Sequence, residues 1–385
     1  MSLSRADRSG FTDWWWTVDR VTLFAVLALT AIGLMLAFAA SPAATGGTAA
    51  AGDFRFAARQ IVFAGLAVLV LGYSSLLSIR AVKLTAAVVF ALALIGSALA
   101  LFTGDAVLGG RRWIDLGWLT VQPSEFLKPG FAVLAAAILA DRARMVLPKP
   151  LITFLLLLPA AIILVLQPDV GQTGLLLALW GALLFFYGVS VRWIAVLGAG
   201  SLGLGALAYL FIGHVHHRVE QFLGMTQEGY QAKLAANAFA HGRLLGVGPG
   251  AGTIKYSLPD AQSDFIFAVA GEEFGLALCG LIALLFCVLS VRLLIRAAQM
   301  KDPFAQIAAA GLAIVIALQA FINMSVAIGM LPAKGMTLPF ISYGGSSLLA
   351  VALTMGFALA LTRQRPQIGR RDDDAVFGFL REART

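Results

Sequence analysis

Charge is scarce in this chain. Asp, Glu, Lys and Arg supply 12% of its 385 residues while hydrophobic residues supply 60%, about half the charge and well above the apolar share of an ordinary soluble domain. That composition excludes a soluble globular enzyme, which would need far more polar side chains to cover itself. Cysteine is nearly absent: Cys279 and Cys287 are the two, both inside one apolar stretch where packing rather than a disulfide is expected. Histidine is equally thin. Three of the four fall in HVHH at 214 to 217, too close together to present a full ligand set and with no Cys nearby, so they are expected to line the membrane surface. The glycine-rich HGRLLGVGPGAG has no strand before it and forms neither a Walker loop nor a dinucleotide fingerprint. No internal repeat, low-complexity tract or soluble domain is present.

What the chain has instead is length of apolar run. A bilayer core is crossed by about 20 apolar residues in a helix, and the mean hydropathy of +0.88 reflects many such stretches. The expected fold is an all-α integral membrane protein of ten helices, at roughly 21 to 41, 60 to 79, 84 to 103, 124 to 141, 150 to 167, 172 to 190, 193 to 213, 264 to 290, 304 to 330 and 345 to 362. Residues 1 to 20 read as a cytoplasmic or interfacial N-terminal segment, 21 to 362 as the membrane domain with a long loop at 214 to 263, and 363 to 385 as a cytoplasmic tail. Although LAFAASPAA imitates a signal-peptidase site, the run from Val21 to Ala39 is longer than a usual signal core, so it is read as a retained span. Trp14 to Trp16 before it suit an interfacial anchor or an amphipathic segment. With both termini inside, 18 of the 28 Lys and Arg fall on the cytoplasmic side. This bias favours an N-in, C-in orientation and accounts for much of the net charge of +8 without nucleic acid.

Polar residues gather at four outer-facing stretches. In GGRRWIDLGWLTVQPSEFLKP, residues 109 to 129, Glu125 and Lys128 stand three apart on one helix face and can neutralise each other. Gln122 and Ser124 precede them. Arg111 and Arg112, beside Trp113 and Trp118, could grip phosphate or anchor to lipid headgroups. Asp169 in LQPDVGQTG stands between two spans, as a cap or as the lining of a polar cavity. The long loop brings Arg218 and Lys255. In KGMTLPFISYGGSSLL, residues 334 to 349, Lys334 lacks an obvious local partner, Ser342 and Ser346 could face one groove, and the small residues suit close helix packing.

The fullest cluster is SLPDAQSDFIFAVAGEEFG, residues 257 to 275. Asp264 is expected at the N-terminus of the eighth span, where an N-cap role would explain it. Glu272 and Glu273 lie about two turns deeper, at a depth where charge must be paired, hydrogen-bonded or neutralised.

LPDAQSDFIFAVAGEEFG, RRWIDLGWLTVQPSEFLKP, QPDVGQTG and LPAKGMTLPFISYGGSSLL, in this order, resemble the SEDS family (shape, elongation, division and sporulation). The DWWWTVDR approach and LPFISYGGSS are nearest its cell-division member. The resemblance covers about residues 14 to 365. It implies a peptidoglycan glycosyltransferase that polymerises lipid II into glycan strands at the outer face of the bacterial inner membrane, at the division septum. It further implies pairing with a class B penicillin-binding transpeptidase and other divisome proteins. The family's essential acid in DFIF falls on Asp264, whose proposed role is general base. Gln262 and Ser263 stand where HT is common, and the DPW element usual before GYQ is missing. Arg111, Arg112, Arg218, Lys255 and Lys334 are then candidates to stabilise the departing diphosphate; no tightly bound cofactor is expected, although a divalent cation, Mg or Mn, would serve the same end. The competing readings are a lipid II flippase and a scaffold that depends on its transpeptidase. A polar cluster at one mouth and the absence of a repeat favour an enzyme over a transporter.

Overall fold

The computed structural model describes residues 10–44, 54–104, 106–107, 110–115, 117, 120–143, 146–211, 213, 216, 227–331 and 335–363. Apolar runs become helices wherever the chain can satisfy its own amides in lipid. A short helix, α1 (Gly10–Thr17), leads into α2 (Arg20–Ala44), α3 (Arg55–Leu76) and α4 (Ile79–Thr103). There follow α5 (Ser124–Ala140), α6 (Lys149–Leu166), α7 (Val170–Tyr187) and α8 (Val191–Phe211). The chain continues with α9 (Gln227–Gly242), α10 (Ile266–Ala298), α11 (Pro303–Ala327) and α12 (Gly345–Thr362). Among the described residues, nine helices are long and apolar enough to cross a bilayer. The expected fourth span is α5, a 17-residue helix carrying the Glu125 and Lys128 charges.

Sequence-local signals set many of the helix ends. Ser78 accepts a bond from Ala81 N at the start of α4, Asp302 caps α11 ahead of Pro303, and Gly188 in a left-handed conformation closes α7. Helices α5, α11 and α12 form the centre, buried along most of their length. Around them α3, α4 and α6 keep apolar faces outward, as lipid-facing helices must, and α8 packs against α7.

Two short hairpins join α4 to α5: β1 (Ala106–Val107) with β2 (Gly110–Arg111), and β3 (Ile114–Asp115) with β4 (Thr120–Val121), both antiparallel. The long loop contains α9, packed against α10. Its residues place apolar side chains at Leu234, Ala235 and Ala238, enough to bury one face.

A break in α10 ties the loop down. Gly275 has φ of +75° and ψ of −178°, a combination open to glycine. The interrupted ladder frees groups that the loop takes up. Val247 N and Gly248 N donate to Glu272 O and Glu273 O, while Leu276 N and Ala277 N donate to Arg243 O and Leu244 O.

Candidate active site

At the hairpin end of the molecule, the chain leading into α10 turns sharply. Asp260 O accepts from Ser263 N, Asp264 N and Phe265 N, with Asp260 itself at φ of +52°. Asp264 therefore lies in the turn; Phe265 occupies the N-cap place of α10, correcting the expected capping role. The carbonyls of residues 262 to 264 are each held from outside the turn. Tyr343 N donates to Gln262 O (2.9 Å), Ser342 Oγ to Ser263 O (2.5 Å) and Asn323 Nδ2 to Asp264 O (3.1 Å). The main chain is pinned, and Asp264 as a residue is half-buried.

Its surroundings set its acidity. Burial first, and the negative charge of Asp260 second, push the Asp264 carboxyl up to about 7, against the pull of the Gly335 amide and Arg112. Arg112 reaches the same spot: its Nη1 and Asp264 Oδ2 each lie about 4 Å from the point where a Cβ on Gly335 would stand. Two carbonyls aim this guanidinium, since Nε donates to Gln167 O (3.1 Å) and Nη2 to Pro168 O (2.6 Å). Asp169 Oδ2 stands 3.9 Å from Nη1 and has no hydrogen-bond partner among the described residues. Burial raises the Asp169 carboxyl against the opposing charge of Arg112, and its Oδ1 accepts from Gln172 N to cap α7. Of the two roles weighed for Asp169, the structure shows the cap. The cluster holds a carboxyl poised near neutrality beside a fixed cation with donor capacity to spare, a pairing suited to accepting a proton next to an anion.

The other expected site residues separate into groups. Arg111 is exposed on β2 and its Nη1 donates to Leu101 O at 3.5 Å; Trp113 is half-buried next to Gly104. Lys255, expected among the outward cations, is instead 1% exposed, its ammonium bonded to Glu273 and to Ala39 O. A lysine so placed must be paired, and it cannot reach a ligand outside. Ser342 and Ser346 are buried and do not line an open groove. Ser342 Oγ also accepts from Leu338 N, and Ser346 Oγ accepts from Gln122 N. Ser124 is buried, with its hydroxyl unpaired among the described residues. Arg218, Lys334 and Trp118 lie outside the described residues, as do His214 and His217; His216 stacks on Tyr209.

Beneath the rim, Lys128 Nζ donates to Glu125 Oε2 (2.6 Å) and Gln319 Oε1 (2.9 Å). Glu125 also accepts from Gln172 Nε2 and Ser347 Oγ. Glu272 accepts from Thr253 N, Ile254 N and Lys255 N and meets His241 Nδ1 at 3.1 Å, while Glu273 takes Gly250 N and Lys255. Both glutamates thus fasten the long loop to α10. Gln319, Asn323 and Thr337, which join these layers, were not singled out from the sequence. A polar amide at each of two positions inside an apolar helix was the available signal.

These features define a polytopic membrane protein with an acid and guanidinium cluster at one rim. A family described as "Cell cycle protein", comprising FtsW, RodA and SpoVE, matches residues 20–367. The probable peptidoglycan glycosyltransferase FtsW of Caulobacter vibrioides is 43% identical over 384 residues, 99% of this chain and 97% of that one. The protein of the same description from Allochromatium vinosum is 38% identical over 67% of each chain. Among solved structures, a chain from "Structural coordination of polymerization and crosslinking by a peptidoglycan synthase complex" superposes with a TM-score of 0.75 at 28% identity, covering 91% of this chain and 99% of that one. The rod-shape determining protein RodA of Thermus thermophilus gives 0.68 at 29% identity, over 92% and 99%. This chain belongs to the SEDS family and groups with its FtsW members.

Proposed function

We propose that the protein is a peptidoglycan glycosyltransferase that polymerises lipid II, with Asp264 as general base. The observation that carries the reading is half-buried Asp264 at the rim, its carboxyl pushed up to about 7 and sharing the Gly335 site with Arg112. Its relatives are named for this activity.

In the proposed step, ionised Asp264 takes the proton of an acceptor sugar hydroxyl. That oxygen bonds to the anomeric carbon of the donor, and the bond from this carbon to the diphosphate breaks, the electron pair leaving with undecaprenyl diphosphate. Arg112 faces the leaving group as a fixed cation, held by the Gln167 and Pro168 carbonyls. Single displacement with inversion follows, because no second carboxylate is placed as a nucleophile among the described residues. Both substrates are lipids, so a rim opening to the bilayer receives them directly.

For a divalent cation, Mg or Mn, the fit is partial. Among the described residues no group of three or more His, Cys, Asp or Glu could hold a metal. Asp260, exposed beside Asp264, would hold such an ion together with substrate phosphate oxygens, the arrangement usual for Mg. When bound, the ion would neutralise diphosphate charge.

The orientation proposed is N-in and C-in, with the hairpins, the α9 loop and Asp264 facing the periplasm across the bacterial inner membrane, and the septum as the place of work. A class B penicillin-binding transpeptidase is the proposed partner, in line with the synthase complex to which the fold is similar.

The pH dependence of initial polymerisation rate tests the chemistry. A base must be ionised to act, so the rate should climb about tenfold per unit below pH 7 and level off above it. A profile flat between about pH 5.5 and 8 would rule out a base with this acidity.

A further inference from the structure

Asn323 is 1% exposed on α11, in a helix dominated by Ala, Ile, Leu and Val. A primary amide in such surroundings needs partners for its two N–H bonds. Both go to carbonyls of separate segments: Asp264 O at 3.1 Å and Met336 O at 2.7 Å. Those carbonyls also fix which way round the amide stands, since its oxygen in their place would face no donor. Met336 directly follows Gly335, which borders the Asp264 carboxyl: Oδ2 lies 3.9 Å from where a Cβ on Gly335 would stand, and the Gly335 amide opposes the upward push on its pKa. One side chain therefore holds both the residue that bears the carboxyl and the segment that supplies its supporting donor.

Gln319 repeats the device one turn earlier. Its Nε2 donates to Thr337 O (3.1 Å) and its Oε1 accepts from Lys128. Positions four apart share a helix face, so α11 turns two amides toward the 336 to 337 main chain. The lower amide connects that segment to the Glu125 and Lys128 pair, and the upper one connects it to Asp264.

We infer that Asn323 is a positioning residue for the proposed glycosyl transfer, fastening the Asp264 turn to the Gly335–Met336 segment so that the carboxylate and its supporting amide are presented together. The inference rests on the reading of Asp264 as the base. Asn323 touches no substrate and acts through these two main-chain segments. Among the described residues the charged groups that face Asp264 are Asp260 and Arg112, with Asp169 behind Arg112; substitution at 323 leaves all three in place.

The test compares purified wild type with Asn323→Ala, the near-isosteric Asn323→Leu, Asp264→Asn, and Ile316→Val as a control for lost packing on the same helix. Lipid II polymerisation is followed from about pH 5.5 to 9, with kcat and KM separated. Loss of the amide should lower kcat on the order of 10²-fold, the scale of a misplaced catalytic group, with KM for lipid II within about twofold. The rise of rate with pH should also move upward by about one unit, because the charged carboxylate loses the Gly335 amide. Ile316→Val should change the amount of folded protein and leave that rise where it is.

Wild-type kcat and an unmoved pH profile in Asn323→Ala would overturn the inference, as would a lowered rate with an unmoved profile. If Asn323→Ala does not fold, Asn323→Leu keeps the side-chain volume and decides by the same two criteria. Full activity in Asp264→Asn would instead remove the underlying reading, whatever the Asn323 variants do.

Discussion

Glu125 and Lys128, each 2% exposed, illustrate what a single buried charge demands. Breaking a buried pair by removing one partner costs about 3–5 kcal/mol, whereas removing both charges is often close to neutral. Lys128→Met should therefore lower the midpoint of thermal unfolding in detergent markedly, and Glu125→Gln combined with Lys128→Met should recover most of the loss. Equal loss in the single and double variants would show that the charge pair is not the source. This pair was legible in the sequence because three-residue spacing on a helix face fixes contact. Lys255 was not: its position depends on how a loop folds over Glu273, and spacing says nothing about that. The Asp264 carboxyl was recognisable through its motif, but its place in the turn was not, since a carboxylate just before an apolar helix reads equally as a cap. Asn323 and Gln319 were visible as amides within an apolar run, yet their partners come from residues 264 and 336 to 337, which local pattern cannot bring together.

The helices themselves followed from apolar run length, and observed ends differ from expected ones by a few residues at most positions. The eighth span is the exception, ending at Ala298 where 290 was expected, because Arg292 and Arg296 lie on the helix and pair with Asp19. Those bonds, with one from Thr22, outweigh burial and lower the Asp19 carboxyl. Gly275 was equally hidden, since GEEFGLAL reads as unbroken helix. A Cβ at this position would stand 2.3 Å from Leu244 O, and the backbone angles disfavour any other residue, at a cost of about 1–3 kcal/mol. Gly275→Ala should accordingly release the 243 to 248 segment. Hydrogen exchange at the Val247 and Gly248 amides, bonded to Glu272 O and Glu273 O, should quicken while exchange in α11 stays slow. Unchanged protection at both amides would refute the proposed tie.

On the scale of the whole molecule, polarity is arranged by end. At one end Asp19 binds Arg292 and Arg296, Trp14 Nε1 donates to Ser75 Oγ, and Arg363 Nε donates to Thr17 Oγ1, so α1 is joined to α3 and the end of α12, and the turn after it to α10. At the other end stand Asp264, Asp260, Arg112 and Asp169, above the buried Glu125 and Lys128 pair. The asymmetry suits the proposed enzyme, whose chemistry would occupy one membrane face.

The central claim is that the Asp264 carboxylate removes the proton. Its most direct test is the rate of glycan formation from lipid II by purified Asp264→Asn, in the same bilayer and at about pH 8, with lipid II binding and thermal unfolding measured alongside. The account predicts folded protein that binds lipid II and makes no detectable polymer. Polymerisation near the wild-type rate would contradict it.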